Sequence, residues 1–301
     1  MGEDRDALRA ARSAYAEGGN VMRLFRERDP EGRNSADAVL ISYDLQSGTY
    51  RRLLDDPEHR ARVERYTAAI ARVLDELEFD SMLEAGTGEA TTLVAVLDRL
   101  ARVPGRVAAF DLAWSRVAHG RAHAREAGVS APELFTGDLF AMPVADDAFD
   151  LVWTAHALEP NGGRELEGLA ELARVTRRWL VLFEPGYELG GPGTRERVEE
   201  HGYVRGLPAA AEQVGLTIVR HELLSDPISP VNETAVLVLR KDDGAAAPAE
   251  WRACPRCRQA LLALKGELFC PAEGLVYPIV DGIPCLDARN AVVASAFADD
   301  L

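Results

Sequence analysis

The sequence lacks the features that would place a chain in a membrane or send it out of the cell. Its apolar runs, such as 179–183 and 235–239, have the length of a β-strand and fall far short of a membrane span. The first residues, MGEDRDALRA, are acidic and lack the basic start and apolar core of a signal peptide. We therefore expect a cytosolic protein that does not bind membranes.

Positive charge and cysteine are also scarce. The chain carries 34 lysines and arginines against 49 aspartates and glutamates, and its formal net charge is -15. An acidic surface repels a phosphate backbone, so a nucleic-acid partner is not expected unless basic residues cluster locally. The four cysteines should be reduced in the cytosol and serve as metal ligands or core residues rather than as disulfides.

The chain is long enough for one substantial core and a small second domain, since 47% of its 301 residues are hydrophobic. Its pattern predicts five segments in order: a helical N-terminal region with a lid (1–78), an α/β domain (79–241), a linker (242–251), a small β-rich domain (252–288) and a tail (289–301).

The α/β prediction follows from short β-rich runs that alternate with amphipathic helical runs after Ser81. This alternation indicates a parallel sheet covered by helices on both faces. The last two strand candidates, 217–224 and 233–241, are expected to form an antiparallel edge. In the N-terminal region, Tyr66 and Ile70 share one face of a helix for which Asp56 is the expected N-cap.

The stretch MLEAGTGEAT contains the first functional signal, since Gly86 and Gly88 lie where the first strand ends and ligands bind in such sheets. The dinucleotide-binding motif requires a third glycine at the position that Thr91 occupies. S-adenosylmethionine (SAM) has no phosphate but is cationic, so it calls for carboxylates instead. Both alternatives remain open from the glycines alone.

Three carboxylates favour SAM. Glu84 closes the first strand, Asp111 closes the second and Asp138 follows the third. Asp111 can accept both ribose hydroxyls, although a dinucleotide enzyme would use such an acid in the same way. Asp138 discriminates, because a carboxylate there can accept the adenine amino group while the backbone N–H of Leu139 faces a ring nitrogen.

The stretches LEAGTGEAT, FDLAWS and GDLFAMPVADDAFDLVWTAHALE resemble, in order and spacing, the motifs of class I SAM-dependent methyltransferases over residues 80–240. The resemblance implies a Rossmann-like seven-stranded sheet whose last strand is antiparallel. Ala90 departs from the third glycine of many members, which should cost little because alanine is small. The residues expected to contact the cofactor are Glu84, Ala85, Gly86, Thr87, Gly88, Asp111, Trp114, Asp138, Leu139, Tyr43 and Gln46.

Tyr43, Gln46 and Tyr50 belong to the stretch ISYDLQSGTY, which we interpret as a lid with Gly48 as its joint. A plain packing segment is the alternative. Trp114 is expected to cover the adenine face, with surface packing as its alternative.

The methyl acceptor should lie near the ends of the fourth and fifth strands. The candidate catalytic residues there are His156, Glu159, Glu184 and Tyr187, with Asn161 and Glu188 nearby. Several carboxylates around one pocket suggest a cationic substrate such as an amine or guanidine. As alternatives, His156 can hydrogen-bond within a wall, Glu159 or Glu184 can cap a turn, and Glu188 can be solvated.

The small domain contains Cys254 and Cys257 in a C-x-x-C pair, followed by Cys270. These three are metal-ligand candidates, but Glu273 stands where a fourth thiolate belongs, and Cys285 is the other cysteine. The three cysteines are therefore expected either to bind zinc or, without a metal, to serve as small core residues.

Residues 252–287, most specifically YPIVDGIP, resemble the small zinc-ribbon-like proteins that bind and activate methyltransferases. That resemblance implies a built-in stabilising or dimer-forming part, packed on the sheet edge. An accessory domain without catalytic effect is the alternative.

Together these patterns predict a SAM-dependent methyltransferase acting on a small, cationic molecule, with SAM as cofactor and zinc as a weaker prediction. A dimer-forming role of the small domain would make the protein a homodimer. The alternatives are methylation of tRNA, a ribosomal component or a protein, a non-catalytic SAM-binding scaffold and, more distantly, a dinucleotide oxidoreductase.

Overall fold

The computed structural model describes residues 2–27, 34–129, 132–242 and 244–299. The remaining positions, which include parts of the predicted lid region, linker and tail, lie outside the described residues. No helix within these described ranges has both the length and the apolar character needed to cross a bilayer.

In the described part of the N-terminal region, helices precede the first strand. They are α1 (Gly2–Ala16), α2 (Val21–Arg26), α3 (Ala36–Leu45), α4 (Thr49–Leu53) and α5 (Pro57–Asp75). The Asp56 side chain accepts the N–H of Glu58, and Pro57 opens the helix, so α5 begins where the sequence predicts. Ser35 caps α3 in the same way by accepting the N–H of Ala38.

The α/β domain alternates strands and helices along the chain. The strands are β1 (Ser81–Ala85), β2 (Arg106–Asp111), β3 (Glu133–Thr136), β4 (Phe149–Ala155), β5 (Thr176–Pro185), β6 (Thr217–Leu223) and β7 (Thr234–Arg240). The helices are α6 (Thr91–Leu97), α7 (Trp114–Glu126), α8 (Glu165–Val175), α9 (Pro192–His201) and α10 (Leu207–Gln213).

These strands form one seven-stranded sheet in the order β3-β2-β1-β4-β5-β7-β6. Strands β1 to β5 are parallel, and β7 runs antiparallel to both of its neighbours, which confirms the predicted fold class and the antiparallel last strand. Successive side chains of a strand point to opposite faces of the sheet, and each face has its own hydrophobic core. In β4, Val152 packs in the core that contains Phe110 and Phe135, whereas Trp153 packs against Phe183 in the core on the opposite face.

The small C-terminal domain is antiparallel. Its strands are β8 (Leu262–Leu264), β9 (Glu267–Cys270), β10 (Leu275–Tyr277), β11 (Ile279–Val280), β12 (Ile283–Pro284) and β13 (Val292–Val293), with a short 3-10 helix at Ala288–Asn290. Strand β13 pairs with β10 although it lies in the segment predicted as a tail. Two valines carry too little pattern to reveal a strand, so the sequence could not show that this part belongs to the small sheet.

This domain packs on the β3 edge of the large sheet. The N–H of Leu286 donates to the carbonyl of Thr136 at 2.9 Å, and Trp251 lies 5.4 Å from the rings of both Phe135 and Phe149. Cys254 belongs to the same buried cluster, so the two domains share one core. The β3 edge is thereby covered, which removes an exposed strand edge from the α/β domain.

Candidate active site

A cavity of about 350 Å³ lies at the carboxyl ends of β1 to β4. Helix α3 covers it with Ala36, Val39 and Tyr43, which share one helical face, and α5 adds Tyr66. Of the predicted cofactor residues, the wall includes Tyr43, Gly86, Thr87, Gly88, Asp111, Asp138 and Leu139. Of the acceptor candidates, it includes His156, Glu159 and Asn161.

The turn after β1 needs its glycines. Gly86 has φ of +78°, and a Cβ built on it would lie 2.3 Å from the Cβ of Ala157. Gly88 has φ of +57°, and its N–H donates to Oδ2 of Asp111 at 2.9 Å. Ala90 fits by size, as expected, but its φ of +52° adds a backbone cost of roughly 1–2 kcal/mol that size alone does not reveal.

The two acids of the cofactor site are held by backbone N–H groups. Asp111 accepts the N–H of Ala113 at 3.0 Å besides that of Gly88, and Asp138 accepts the N–H of Phe140 at 2.9 Å. Burial raises the pKa of both carboxyls. A carboxylate has about four acceptor positions, so each acid keeps capacity for a ligand donor.

Glu84 lies beneath the turn rather than on the cavity wall formed by the described residues. It is 1% exposed and accepts a hydrogen bond from the hydroxyl of Thr87. Burial raises the pKa of Glu84 to about 8. Ala85 is buried in the core, so these two residues of the predicted cofactor set support the turn from below.

Trp114 and Gln46 are also not part of that wall. Trp114 opens α7 and packs against the hydrophobic cluster on one face of the sheet, and Gln46 follows the last residue of α3. Of the three residues predicted in the lid segment, the structure brings Tyr43 and Tyr50 to the cavity wall but not Gln46.

Sequence reasoning missed Arg116, a buried wall residue of α7. Its Nε donates to the carbonyl of Tyr43 at 2.9 Å, and its guanidinium lies 4.6 and 4.7 Å from the ring centroids of Tyr43 and Tyr50. Glu89 binds the same segment by accepting the N–H groups of Tyr50 and Arg51, at 3.4 and 2.9 Å. An arginine in a helix looks like a surface charge, so only the fold reveals these contacts.

The acceptor side of the cavity contains a buried pair. Nδ1 of His156 hydrogen-bonds to Glu159, and Nε2 lies 2.9 Å from the hydroxyl of Thr234. Asn232 donates to both Glu159 oxygens at 3.3 Å. His156 has φ of +56°, an unusual conformation for a residue other than glycine.

The pair shifts the pKa of both members. Burial lowers the pKa of His156, but the charge and hydrogen bond of Glu159 outweigh burial and raise it. Burial likewise raises the pKa of Glu159, but His156 and Asn232 outweigh it, so the net pKa is lowered. Both shifts favour an imidazolium–carboxylate pair. Its partners Asn232 and Thr234 are not marked by any pattern in the sequence.

The other acceptor candidates lie elsewhere. Glu184 is 1% exposed and accepts the N–H groups of residues 157, 158 and 159 at 3.0 to 3.1 Å, so it fixes the turn after β4. Burial raises its pKa to about 7. The hydroxyl of Tyr187 donates to Glu199, and Glu188 accepts the N–H of Gly206. Among the described residues, none of these three side chains lines the cavity.

Cys254, Cys257 and Cys270 converge, with their sulfur atoms all within 4.8 Å of one another. Sulfurs about 2.3 Å from a tetrahedral zinc ion would lie about 3.8 Å apart, so the three could hold one. Burial raises the pKa of Cys270 to about 12, and zinc would have to displace that proton. In the described chain, neither Glu273 nor Cys285 belongs to this cluster.

Two segments of the chain match family models. Residues 82–178 match a methyltransferase domain, and residues 253–282 match Trm112p-like proteins. The search of curated proteins gave no match.

Solved structures with a similar fold cover about two thirds of the chain. One is magnesium protoporphyrin IX methyltransferase from Synechocystis PCC 6803 with bound SAH, at 18% identity and a TM-score of 0.52, covering 67% of this chain and 99% of that one. Another comes from a complex of the Haloferax volcanii Trm112 methyltransferase activator with a chain described as a methyltransferase, at 18% identity and a TM-score of 0.51, covering 65% and 97%.

Proposed function

We propose that this chain, a SAM-dependent methyltransferase with a C-terminal Trm112p-like domain, methylates a nitrogen of a small amine or guanidine. The observation that carries the proposal is the position of Glu159 on the wall of a cavity that α3 and α5 cover. The enzyme would work in the cytosol, where its four free cysteines stay reduced.

The cofactor side fits SAM better than a dinucleotide. SAM, when bound, supplies an activated methyl group on a sulfonium ion. Asp111 and Asp138 would hold its ribose and adenine, with the N–H of Leu139 beside them. The N–H of Gly88 is already bound to Asp111, so a pyrophosphate at this turn would meet a carboxylate instead of a free donor.

The covered cavity supports a small acceptor. Its upper wall combines Val39, Leu54 and Val63 with the ring of Tyr66, and Ile228 reaches it from the segment between β6 and β7. A volume of about 350 Å³ lies at the lower end of small-molecule sites. A polymer would reach this cavity only by inserting one flipped base or one extended side chain beneath the cover.

Glu159 is the residue we assign to the acceptor. Both ring nitrogens of His156 are engaged, so His156 holds Glu159 in place and has no nitrogen free for the substrate. A carboxylate with a lowered pKa is a weak base but a good partner for a cation. Its role would be to hold and orient the acceptor, which would react after losing its proton to water, because only the neutral nitrogen has a lone pair for the methyl group. Alignment alone can supply roughly 7–11 kcal/mol of a transfer barrier. With Glu184 and Glu188 engaged elsewhere, Glu159 is the carboxylate among the acceptor candidates that would hold a cationic substrate.

The test is turnover of labelled SAM on a panel of amines and guanidines, followed by kinetics of Glu159→Gln. Loss of one charge-assisted hydrogen bond should raise the amine KM about 10–100-fold. Glu188→Gln, which removes a charge outside the cavity wall, is the matched control and should behave like the wild type. Near-wild-type kinetics of Glu159→Gln on an accepted amine would overturn the assignment.

A macromolecular target is the second candidate, and the Trm112p-like match favours it. A similar structure comes from a complex with a Trm112 activator, but the net charge of -15 opposes binding to RNA. The panel therefore includes tRNA, ribosomes and protein fractions, and turnover on these alone would replace the small-molecule proposal. We interpret the fused domain as a built-in stabilising part, and light scattering would test whether it also forms a homodimer.

A further inference from the structure

The end of the Trm112p-like domain lies beside the cofactor side of the cavity. The N–H of Leu286 donates to Thr136, two residues before Asp138, so the chain that follows is fixed along β3. Asp287, only 4% exposed, is the next residue and caps the 3-10 helix by accepting the N–H of Arg289 at 2.7 Å.

The guanidinium of Arg289 binds two carboxylates, those of Asp287 and Asp37. Nε and Nη2 bind the two oxygens of Asp287 at 3.0 and 2.7 Å, a fork geometry that holds the side chain in one orientation. The remaining Nη1 donates to Oδ1 of Asp37 at 2.6 Å. Asp37 lies in the first turn of α3, so this side chain links the fused domain to the helix over the cavity.

A shift of α3 at this end would change the cavity wall. Ala36, the neighbour of Asp37, lines the cavity, and Val39 and Tyr43 follow on the same helix. The other end of the covering segment is held by Arg116 and Glu89. Arg289 therefore supplies the contact that those two residues do not, at the start of α3.

Arg289 also acts on the acid expected to bind adenine. Burial raises the pKa of Asp138, and the positive charge of Arg289 opposes that rise while Asp287 adds to it. The ion pair of the fused domain is thus close enough to Asp138 to affect its charge.

From these contacts we infer that Arg289 is a positioning residue, through which the Trm112p-like domain fixes α3 over the cavity and tightens SAM binding. The inference rests on the proposed cofactor site. It gives the fused domain a role in binding in addition to covering the sheet edge.

The experiment compares Asp37→Asn, Asp37→Glu and the wild type by calorimetric titration with SAM. Asp37 is an exposed residue, so its amide variant should fold normally, which thermal unfolding checks. Breaking an exposed ion pair should raise the Kd for SAM about two- to fivefold, and the Glu variant should restore wild-type affinity. The difference should vanish in 1 M salt, about the level at which exposed charges are screened within 3 Å.

Asp281→Asn is the matched control. Like Asp37, Asp281 is an exposed acid in an ion pair between the small domain and the rest of the chain, but it lies in the small domain and its partner is Arg121 of α7 rather than a residue of α3. We expect its Kd for SAM to equal that of the wild type. Equal Kd values for Asp37→Asn and the wild type would overturn the inference, and so would an equal loss in Asp281→Asn. A wild-type chain that does not bind SAM would instead overturn the cofactor site itself.

Discussion

The cavity has two halves that are built in different ways. The half proposed to hold the cofactor, here called the cofactor half, consists of three backbone turns, 86–91, 111–112 and 137–140, each at or directly after the end of a strand. The acceptor half consists of side chains from α5, from the turn 155–161 and from the segment 228–234. Asp138 of the first half is held two residues away, by Phe140, whereas His156 of the second half bonds to Thr234, 78 residues along the chain.

Because of this difference, the two halves suit different kinds of ligand. Local turns present backbone N–H groups and strand-end acids in a fixed arrangement, which suits a cofactor that is always the same. A network of distant side chains changes whenever one member changes, which suits an acceptor that varies between enzymes. Substitutions should therefore alter SAM affinity in the cofactor half and substrate choice in the acceptor half.

The largest effect is expected where the halves touch. In Gly86→Ala, the new methyl group would lie 2.3 Å from the Cβ of Ala157 and would sit on a residue with φ of +78°. Overpacking and a left-handed alanine together should cost about 2–5 kcal/mol of unfolding free energy and abolish SAM binding. Urea unfolding and calorimetric titration measure the two effects.

Gly88→Ala is the control for that substitution. Its φ of +57° is similarly strained, but the nearest atom, Nη1 of Arg116, would lie 3.4 Å away, an ordinary contact. It should lose only about 1–2 kcal/mol. Equal losses in both variants would mean that backbone strain, not contact with the acceptor half, makes Gly86 necessary.

The same contrast explains what the sequence could predict. Gly86, Asp111 and Asp138 follow strands at local spacing, so periodicity and motif order were enough to find them. The sequence also predicts Glu84 as a residue of this turn. Its position beneath the turn depends on the hydrogen bond from the hydroxyl of Thr87, which the sequence pattern does not show.

The acceptor half was less predictable. Glu184 lies near the end of β5 and Tyr187 follows the strand, as the pattern predicts. The Glu184 carboxylate is nevertheless used by the N–H groups of the turn after β4, and the hydroxyl of Tyr187 donates to Glu199 of α9. Asn232 and Arg116 reach the cavity only through tertiary packing. No local pattern encodes such contacts, since they depend on segments that are distant in sequence.

A pH effect of intermediate size is expected from Glu84 in the cofactor half. Burial raises its pKa to about 8, above that of the unfolded chain, so the folded protein binds more protons between about pH 4.5 and 8. Glu84 should therefore make folding stability fall as pH rises through this window, with a contribution of at most about 1.4 kcal/mol per pH unit. Glu184, whose pKa is raised to about 7, adds its own contribution. Glu84→Gln imitates the protonated acid and should make the slope shallower without removing the part due to Glu184, which urea unfolding at several pH values would measure. Parallel profiles for the variant and the wild type would contradict the assignment, and Glu188→Gln, an exposed acid, should leave the wild-type profile unchanged.

The smallest effect is expected at Ala90, and it tests whether backbone conformation alone shapes the cofactor half. Its φ of +52° costs an alanine roughly 1–2 kcal/mol, while its methyl group fits where Gly120 of α7 leaves room. Ala90→Gly relieves the strain but loses about 0.8 kcal/mol of methyl burial and about 0.5–1 kcal/mol through a freer unfolded chain. These contributions nearly cancel, so urea unfolding should change by less than about 1 kcal/mol and SAM affinity should stay the same. A loss of about 2 kcal/mol or more would mean that the contact with α7 holds this turn, and the cofactor half would then depend on tertiary packing as the acceptor half does.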